Sequence, residues 1–319
     1  MNALLRKAAR NAYQHSLSLQ KGESVLVIYD KSKEEIANAF FAETTSFLAR
    51  AEKVEIPLGD HDGQEPPDAV AERMKHFDVI VAATTTSLTH TAARKQASAK
   101  GARIATLPGI TVSIMERLFD VDYQYLKNQV SPLYDLLKKA KEIIIKTEKG
   151  TSITLHVAKQ PWEGLNSGIA RKGEVCNLPD GELYCAPHQE GTSGIIVFDG
   201  SFAGIGRLAA PIRIRVKDGY ATSVTGGEEA KKLAAGLKAV NDPNAYNIAE
   251  LGIGTNGLAR ITGNILEDEK VKGTIHIALG NNTGFGGSID VPIHVDGVVL
   301  QPTVFADNQK IMHRGVWVR

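Results

Sequence analysis

The fold is decided first by SVLVIYDKSKEEIANAFFAETTSFLAR, residues 24–50. Its apolar, β-branched beginning at 24–30 predicts a buried strand, and the run from Glu34 to Arg50 predicts a helix. A strand followed at once by a helix is the unit from which parallel sheets are built. The alternation continues through KVEIPL (53–58), a helix after Pro67, DVIVAAT (78–84), a helix from about His90, and RIATLP (103–108).

Two helical stretches follow and end this first region. They are VDYQYLKNQV (121–130) and SPLYDLLKKAK (131–141), the second with Ser131 as N-cap and Pro132 at its first position. We therefore expect residues 1–141 to form an open α/β domain with a parallel sheet and linking helices.

The pattern changes after residue 142 to segments with a period of two. EIIIKTEKGTSITLHV (142–157) and APIRIRVKDGYATSV (210–224) each contain a turn between two alternating runs, and a helix is expected from Glu228 to Val240. Residues 142–319 are therefore predicted to form a β-rich, barrel-like domain with some helix, which makes the whole chain α/β plus α+β.

Composition excludes several function classes. The 319 residues carry a formal charge of +1, which gives no net field to attract nucleic acid or a membrane surface. The N-terminus lacks an apolar signal core, and no apolar run is long enough to span a membrane. We expect a cytoplasmic protein with a peptide or small-molecule substrate. Cys176 and Cys185 lack the paired spacing of a thiolate zinc site.

A glycine pattern in the second half does not predict a nucleotide site. Gly252, Gly254 and Gly257 match GxGxxG, but they open no βαβ unit, and the turn YDKSKEE after the first strand has no glycine. Glycines at tight turns and bulges of a sheet explain the match better. The charged LEDEK that follows (266–270) is expected to be exposed.

Acids and histidines inside apolar strands are the candidates for chemistry. An ionised carboxylate in such a run is costly unless it is paired or bound to a cation. In HVDG, a histidine and an aspartate two residues apart point to the same face of a strand. The candidate metal ligands are Glu182, Glu250, His276, His294 and Asp296.

The number of ligands leaves two kinds of metal site open. His276, His294 and Asp296 alone have the composition of the triad that holds non-haem Fe(II). With Glu182 and Glu250 there are five donors, which suit two divalent ions about 3.5–4 Å apart with a shared water as nucleophile. Which of the two applies depends on whether the two glutamates reach the metal.

Several blocks of the sequence resemble the thermophilic metallo-aminopeptidase family typified by aminopeptidases T and S. They are TTTSLTHTAAR, MERLFDVDYQYL, NLPDGELYCAP, AELGIGTN, ITGN, LEDEKVKGTIHIALG and IHVDG, in the same order. The resemblance implies an N-terminal α/β domain, a catalytic β-rich domain, a homodimer, and a site for two metal ions such as cobalt, zinc or manganese. Matched by motif, the family's ligands fall on the five residues above.

One departure from the family bears on its chemistry. Those peptidases have a catalytic tyrosine shortly after the block matching HIALG, whereas GNNTGFGGSIDVPIH (280–294) contains none. The resemblance extends to 2,5-dihydroxypyridine 5,6-dioxygenase, which holds one Fe(II) with two histidines and an aspartate. In that case Glu182 and Glu250 would support the ligands, and His90 and His188 are candidates for substrate contact.

The leading expectation is a metal-dependent aminopeptidase-like hydrolase in which a metal-bound water attacks the peptide carbonyl and Glu182 or Glu250 moves the proton. The alternative is a mononuclear Fe(II) ring-cleaving dioxygenase acting on a 2,5-dihydroxypyridine-type substrate. A third is a relative that binds metal without catalysis.

Overall fold

The computed structural model describes residues 2–165 and 168–318. In chain order its strands are β1 (Ser24–Tyr29), β2 (Arg50–Glu55), β3 (Val79–Ala83), β4 (Arg103–Thr106), β5 (Glu142–Lys146), β6 (Ser152–His156), β7 (Val175–Asn177), β8 (Glu182–Cys185), β9 (His188–Phe198), β10 (Ser201–Phe202), β11 (Gly206–Arg207), β12 (Ile212–Lys217), β13 (Tyr220–Thr225), β14 (Ile248–Gly254), β15 (Ile275–Gly280), β16 (His294–Val299), β17 (Thr303–Ala306), β18 (Gln309–His313) and β19 (Val316–Trp317). Its α-helices are α1 (Ala3–Asn11), α2 (Glu34–Glu43), α3 (Asp68–Met74), α4 (Ala92–Ala99), α5 (Val112–Leu118), α6 (Tyr123–Leu137), α7 (Glu228–Ala239) and α8 (Ile265–Asp268).

Contacts divide the chain into two compact units. One comprises Met1–Tyr125 with Asn166–Asp180, and the other comprises Leu126–Leu165 with Gly181–Arg319. The predicted ranges 1–141 and 142–319 had a single boundary, whereas the first unit also contains a segment from later in the chain. The predicted domain ranges stay a prediction.

The first unit is built on a parallel sheet with the strand order β2-β1-β3-β4-β7. Every residue of β1 is buried, as expected for a central strand of a sheet that is covered on both faces. One face packs Leu26 and Ile80 against Met74 of α3 and Ala97 of α4. The predicted parallel α/β fold of this region is confirmed.

The predicted helix from Glu34 to Arg50 is too long. Helix α2 ends at Glu43, a 3-10 turn follows, and Leu48 adopts a left-handed conformation before β2 begins at Arg50. The threonine hydroxyls of the turn donate to backbone carbonyls three residues earlier, Thr44 to Phe41 and Thr45 to Ala42. Such side-chain hydrogen bonds compete with the regular helix.

The second unit contains two antiparallel sheets. The six-stranded sheet has the order β11-β10-β16-β15-β14-β8, and the eight-stranded sheet has the order β13-β12-β9-β6-β5-β17-β18-β19. The predicted hairpins 142–157 and 210–224 are the pairs β5–β6 and β12–β13, and α7 matches the predicted helix apart from its last residue. The predicted fold class is therefore confirmed.

The two predicted linking helices are one continuous helix, α6, with Pro132 in its interior. A proline removes one backbone donor, and burial of the apolar side chains Leu126, Val130 and Leu137 on this helix offsets that loss. Within the described residues, no helix is long and apolar enough to cross a membrane. The cytoplasmic location stays a prediction.

Candidate metal centre

The predicted ligands lie on four neighbouring strands of the six-stranded sheet, in the order β16-β15-β14-β8. Side chains two residues apart along a strand share a face, and paired residues on adjacent strands lie side by side. The strands that carry the side chains are β8 for Glu182, β14 for Glu250, β15 for His276, and β16 for His294 and Asp296. The sheet thus brings together all five residues that the sequence singled out.

Small residues separate these side chains and leave room around them. Ala278 is paired with both Glu250 and Asp296, and Gly280 is paired with His294. On β14, Gly252 is paired with His276, and an added Cβ there would lie 1.9 Å from the imidazole Nε2. The first two glycines of the GxGxxG match therefore lie within a strand that carries the site, where they permit close approach.

The two imidazoles converge on one carboxylate, that of Glu250. Its Oε1 lies 3.4 Å from Nε2 of His276, and its Oε2 lies 3.2 Å from Nε2 of His294. His276 Nε2 is also 3.2 Å from Oε2 of Glu182, and His294 Nε2 is 3.3 Å from Oδ2 of Asp296. All of these side chains are buried except His294, which is half-buried.

The orientation of His294 is fixed by the loop that precedes its strand. Nδ1 lies 2.8 Å from the carbonyl oxygen of Asn281. A carbonyl only accepts, so Nδ1 carries the hydrogen and the neutral ring keeps its lone pair on Nε2. The ring of Phe285 stacks on the imidazole with centroids 4.8 Å apart. The segment without the peptidase tyrosine thus places an apolar ring against His294.

Lys270 and Glu269 also belong to the site, and sequence reasoning missed both. Lys270 is fully buried, and its Nζ lies 2.5 Å from Oε1 of Glu182 and 2.6 Å from Oε1 of Glu269. The expectation that LEDEK is exposed is wrong. Glu267 and Asp268 are buried because their carboxylates accept hydrogen bonds from backbone N–H groups at 260, 262 and 263. The conflict between an ionised group and burial was the available signal.

Neighbouring charges shift the pKa values of the groups at the centre. Burial raises the pKa of Glu250, but hydrogen bonds and charges from the two imidazoles outweigh burial and lower it to about 2. Burial lowers the pKa of His276, but the hydrogen bond that its imidazole donates to Glu250 and the charges of Glu182, Glu250 and Asp296 raise it to about 9. The pKa of His294 is raised well above its usual range by Asp296 and Glu250, against the effect of burial. The site thus favours positive charge.

The donor set fits a divalent cation. Three groups have one ligand atom from each member within 4.8 Å of the others: Glu182, Glu250 and His276; Glu250, His294 and Asp296; and Glu269, His276 and Asp296. Asp296 Oδ1 and His276 Nδ1 are buried without a hydrogen-bond partner among the residues that the structure describes. Buried polar atoms are normally satisfied, and an ion would satisfy the carboxylate oxygen. Metal binding by these side chains stays a prediction.

The two further histidines are not part of the six-stranded sheet. His90 is exposed in the first unit, directly before the N-cap Thr91 of α4. His188 begins β9, where its ring nitrogens lie 2.8 Å from the carbonyl oxygen of Ala158 and 3.3 Å from the side-chain nitrogen of Gln160. Neither is a member of the three groups above. Their predicted contact with substrate stays a prediction.

Comparison with known proteins gives one family match and two informative structural similarities. The family described as 2,5-dihydroxypyridine 5,6-dioxygenase matches residues 5–319. The 2,5-dihydroxypyridine 5,6-dioxygenase of Pseudomonas putida (strain KT2440) is 22% identical over 338 residues, which cover 95% of this chain and 94% of that protein. The solved structure of 2,5-dihydroxypyridine dioxygenase from P. putida KT2440 has a TM-score of 0.86 at 20% identity, with 98% of this chain and 96% of that chain covered. AmpT from Thermus thermophilus has a TM-score of 0.74 at 17% identity, with 99% of both chains covered.

The family match implies a metal-dependent dioxygenase. The chain belongs to the 2,5-dihydroxypyridine 5,6-dioxygenase family. The leading expectation of a metallo-aminopeptidase, with its hydrolase and protease classes, is therefore wrong. The likeness to AmpT shows a shared fold. Two features agree with this correction: the loop after β15 contains no tyrosine, and one oxygen of Glu182 is held by Lys270.

The position of Gly252 under His276 gives a direct test of the site geometry. We expect Gly252→Ala to displace the imidazole, because the new methyl group would overlap Nε2, and to weaken metal binding by about 10- to 100-fold. Metal content after anaerobic loading with Fe(II) measures the effect. Gly236→Ala is the matched control, because its added Cβ meets no atom within 4 Å on α7. Unchanged metal affinity in Gly252→Ala would show that the His276 imidazole does not bind the metal from its position opposite Gly252.

The raised pKa of His276 makes the stability of the metal-free protein depend on pH. The pKa rises from 6.5 to about 9 on folding, a contribution of about 3 kcal/mol. It is present in full below pH 6.5 and is lost as pH rises through 9. We expect the unfolding free energy of chelator-treated protein, measured in urea, to fall across this range. The unfolding free energy of His276→Gln should fall less over the same range. A steeper fall in the variant would contradict the assignment.

Proposed function

We propose that the protein is a ring-cleaving dioxygenase that uses one ferrous ion and acts on a 2,5-dihydroxypyridine-type substrate. The observation that carries the proposal is the family match over residues 5–319. The side chains on the six-stranded sheet support it, because they include two imidazoles and an aspartate of the kind that holds non-haem Fe(II). A small-molecule substrate follows from the proposal.

His276, His294 and Asp296 would hold the iron. Asp296 shares one candidate group with His294 and another with His276, and Glu250 does the same. The Asn281 carbonyl keeps Nε2 of His294 available as a donor. One iron held there would supply a redox-active centre through which the electrons of the aromatic ring can reduce dioxygen.

Glu250 is the group that would handle the proton. A ring hydroxyl must lose its proton if it is to bind as an anion. A carboxylate within hydrogen-bond reach is a suitable acceptor for that proton. The two oxygens of Glu250 lie against the Nε2 atoms of His276 and His294. An acceptor at this position is next to both histidines that would hold the iron.

Two further groups would support the reaction without taking part in it. The ring of Phe285 covers one face of the His294 imidazole, which excludes water from that side. Glu182 places its second oxygen against Nε2 of His276 while its first is held by Lys270. Both side chains would keep the iron-binding imidazoles in position.

The proposed activity is tested with protein reconstituted anaerobically with Fe(II). We expect about one iron per chain, and consumption of O₂ with loss of the ring absorbance of 2,5-dihydroxypyridine. His294→Ala should lose both iron and activity, whereas His313→Ala, an exposed control at the end of β18, should keep both. Iron binding without O₂ consumption would favour a relative that binds metal without catalysis. His294→Ala with full iron content would contradict the site.

A change at Glu250 separates proton handling from metal binding. We expect Glu250→Gln to keep its iron and to lose about 10²- to 10⁴-fold in turnover, because an amide cannot accept the proton. Iron analysis and an oxygen electrode on the same sample distinguish the outcomes. Loss of the iron together with the activity would show that Glu250 is a ligand.

Assembly is a separate proposal. The homodimer was inferred from resemblance to the aminopeptidases, and the mass of the particle in solution tests it independently of activity.

A further inference from the structure

Lys270 brings an ammonium group into the site. It lies two residues after the end of α8, is fully buried, and contacts the carboxylates of Glu182 and Glu269 at 2.5 and 2.6 Å. An ammonium group is rarely buried unless it is paired, because desolvation costs more than most other contacts return. The two carboxylates therefore hold the charge in place.

The contacts of Lys270 divide the three candidate metal-binding groups. Glu182 belongs to the group with Glu250 and His276, and Glu269 belongs to the group with His276 and Asp296. Each of these two groups thus has one carboxylate oxygen that accepts a hydrogen bond from Lys270. The group formed by Glu250, His294 and Asp296 has no member in these contacts. His276, His294 and Asp296 are not partners in these two contacts and would remain available to an external cation, whereas Glu182 and Glu269 already contact a cation of the protein itself.

Charge supports the same division. Four carboxylates surround the two imidazoles, those of Glu182, Glu250, Glu269 and Asp296. Two divalent ions would balance these four charges, and a site of this kind commonly holds two ions about 3.5–4 Å apart. With the ammonium present, one divalent ion leaves a single negative charge and two leave a single positive charge, so the charge balance no longer favours a second ion.

We propose that Lys270 takes the place of a second divalent ion and restricts the site to one metal. The inference rests on the proposed metal centre of His276, His294 and Asp296. In this role Lys270 is a positioning residue. It directs one oxygen of Glu182 away from coordination, while the other remains 3.2 Å from Nε2 of His276.

The test is metal stoichiometry, measured without reference to turnover. Wild-type protein and Lys270→Met are loaded with excess Mn(II) and desalted, and the manganese per chain is determined by elemental analysis. We expect about one equivalent in the wild type and about two in Lys270→Met. Adding Glu182→Gln to Lys270→Met should return the value to about one, because the second ion then lacks a carboxylate. Lys272→Met removes an exposed charge two residues away and should behave as the wild type does.

Electron paramagnetic resonance provides an independent readout. An isolated Mn(II) gives a resolved six-line signal, whereas two neighbouring ions give a broad, spin-coupled signal, which we expect only in Lys270→Met. If Lys270→Met does not fold, the same two measurements are made on Lys270→Gln. Its amide can still donate a hydrogen bond to Glu182 but has no charge.

Two results would overturn the inference: two coupled ions in the wild type, or a single ion in both Lys270→Met and Lys270→Gln. Failure of the dioxygenase proposal looks different. The iron-loaded wild type would then not consume O₂ with 2,5-dihydroxypyridine, whatever the manganese stoichiometry.

Discussion

Positive charge is what keeps four carboxylates together on one buried region of the protein. Three of them line a sheet face with two imidazoles, and Glu269 approaches from the turn after α8. Without compensation, their mutual repulsion and loss of hydration would outweigh the packing of the strands. Protonated imidazoles, a bound metal and Lys270 are the available sources. The small residues of β14 and β15 follow from the same constraint, because the charged groups must come close enough to interact.

Local sequence patterns were sufficient for most of the fold. The apolar run at 24–30 and the alternating hairpin at 142–157 specify their strands through neighbouring residues alone. Errors arose where distant contacts decide the outcome. The three-residue strand at 175–177 has no periodicity of its own and forms because it pairs with β4. Pro132 signals a helix start, yet the apolar side chains on both sides of it are buried in one continuous helix.

The site was found from polar residues in apolar strands, since each of them is improbable without a partner. What the sequence could not supply was the register between strands. Gly252 leaves room for the imidazole only because His276 is paired with it on the next strand. Lys270 looked like part of a solvated charged run, although the residues around it are mostly buried. The choice between hydrolysis and oxygenation failed for a related reason: the same five residue types suit both chemistries, and Lys270, although it lies within a compared block, was interpreted as part of an exposed charged run.

The loop from 281 to 293 connects two properties that enzymes often vary separately. Its first residue provides the carbonyl that orients His294, and Phe285 within it forms the wall against the same imidazole. The loop is held in shape by Asn282, whose side chain accepts from the backbone of Ile289. For a metal bound to His294, a loop that evolves to admit a different substrate would also alter donor strength at the metal. A change in this loop would therefore alter both the orientation of the His294 imidazole and the apolar wall beside it.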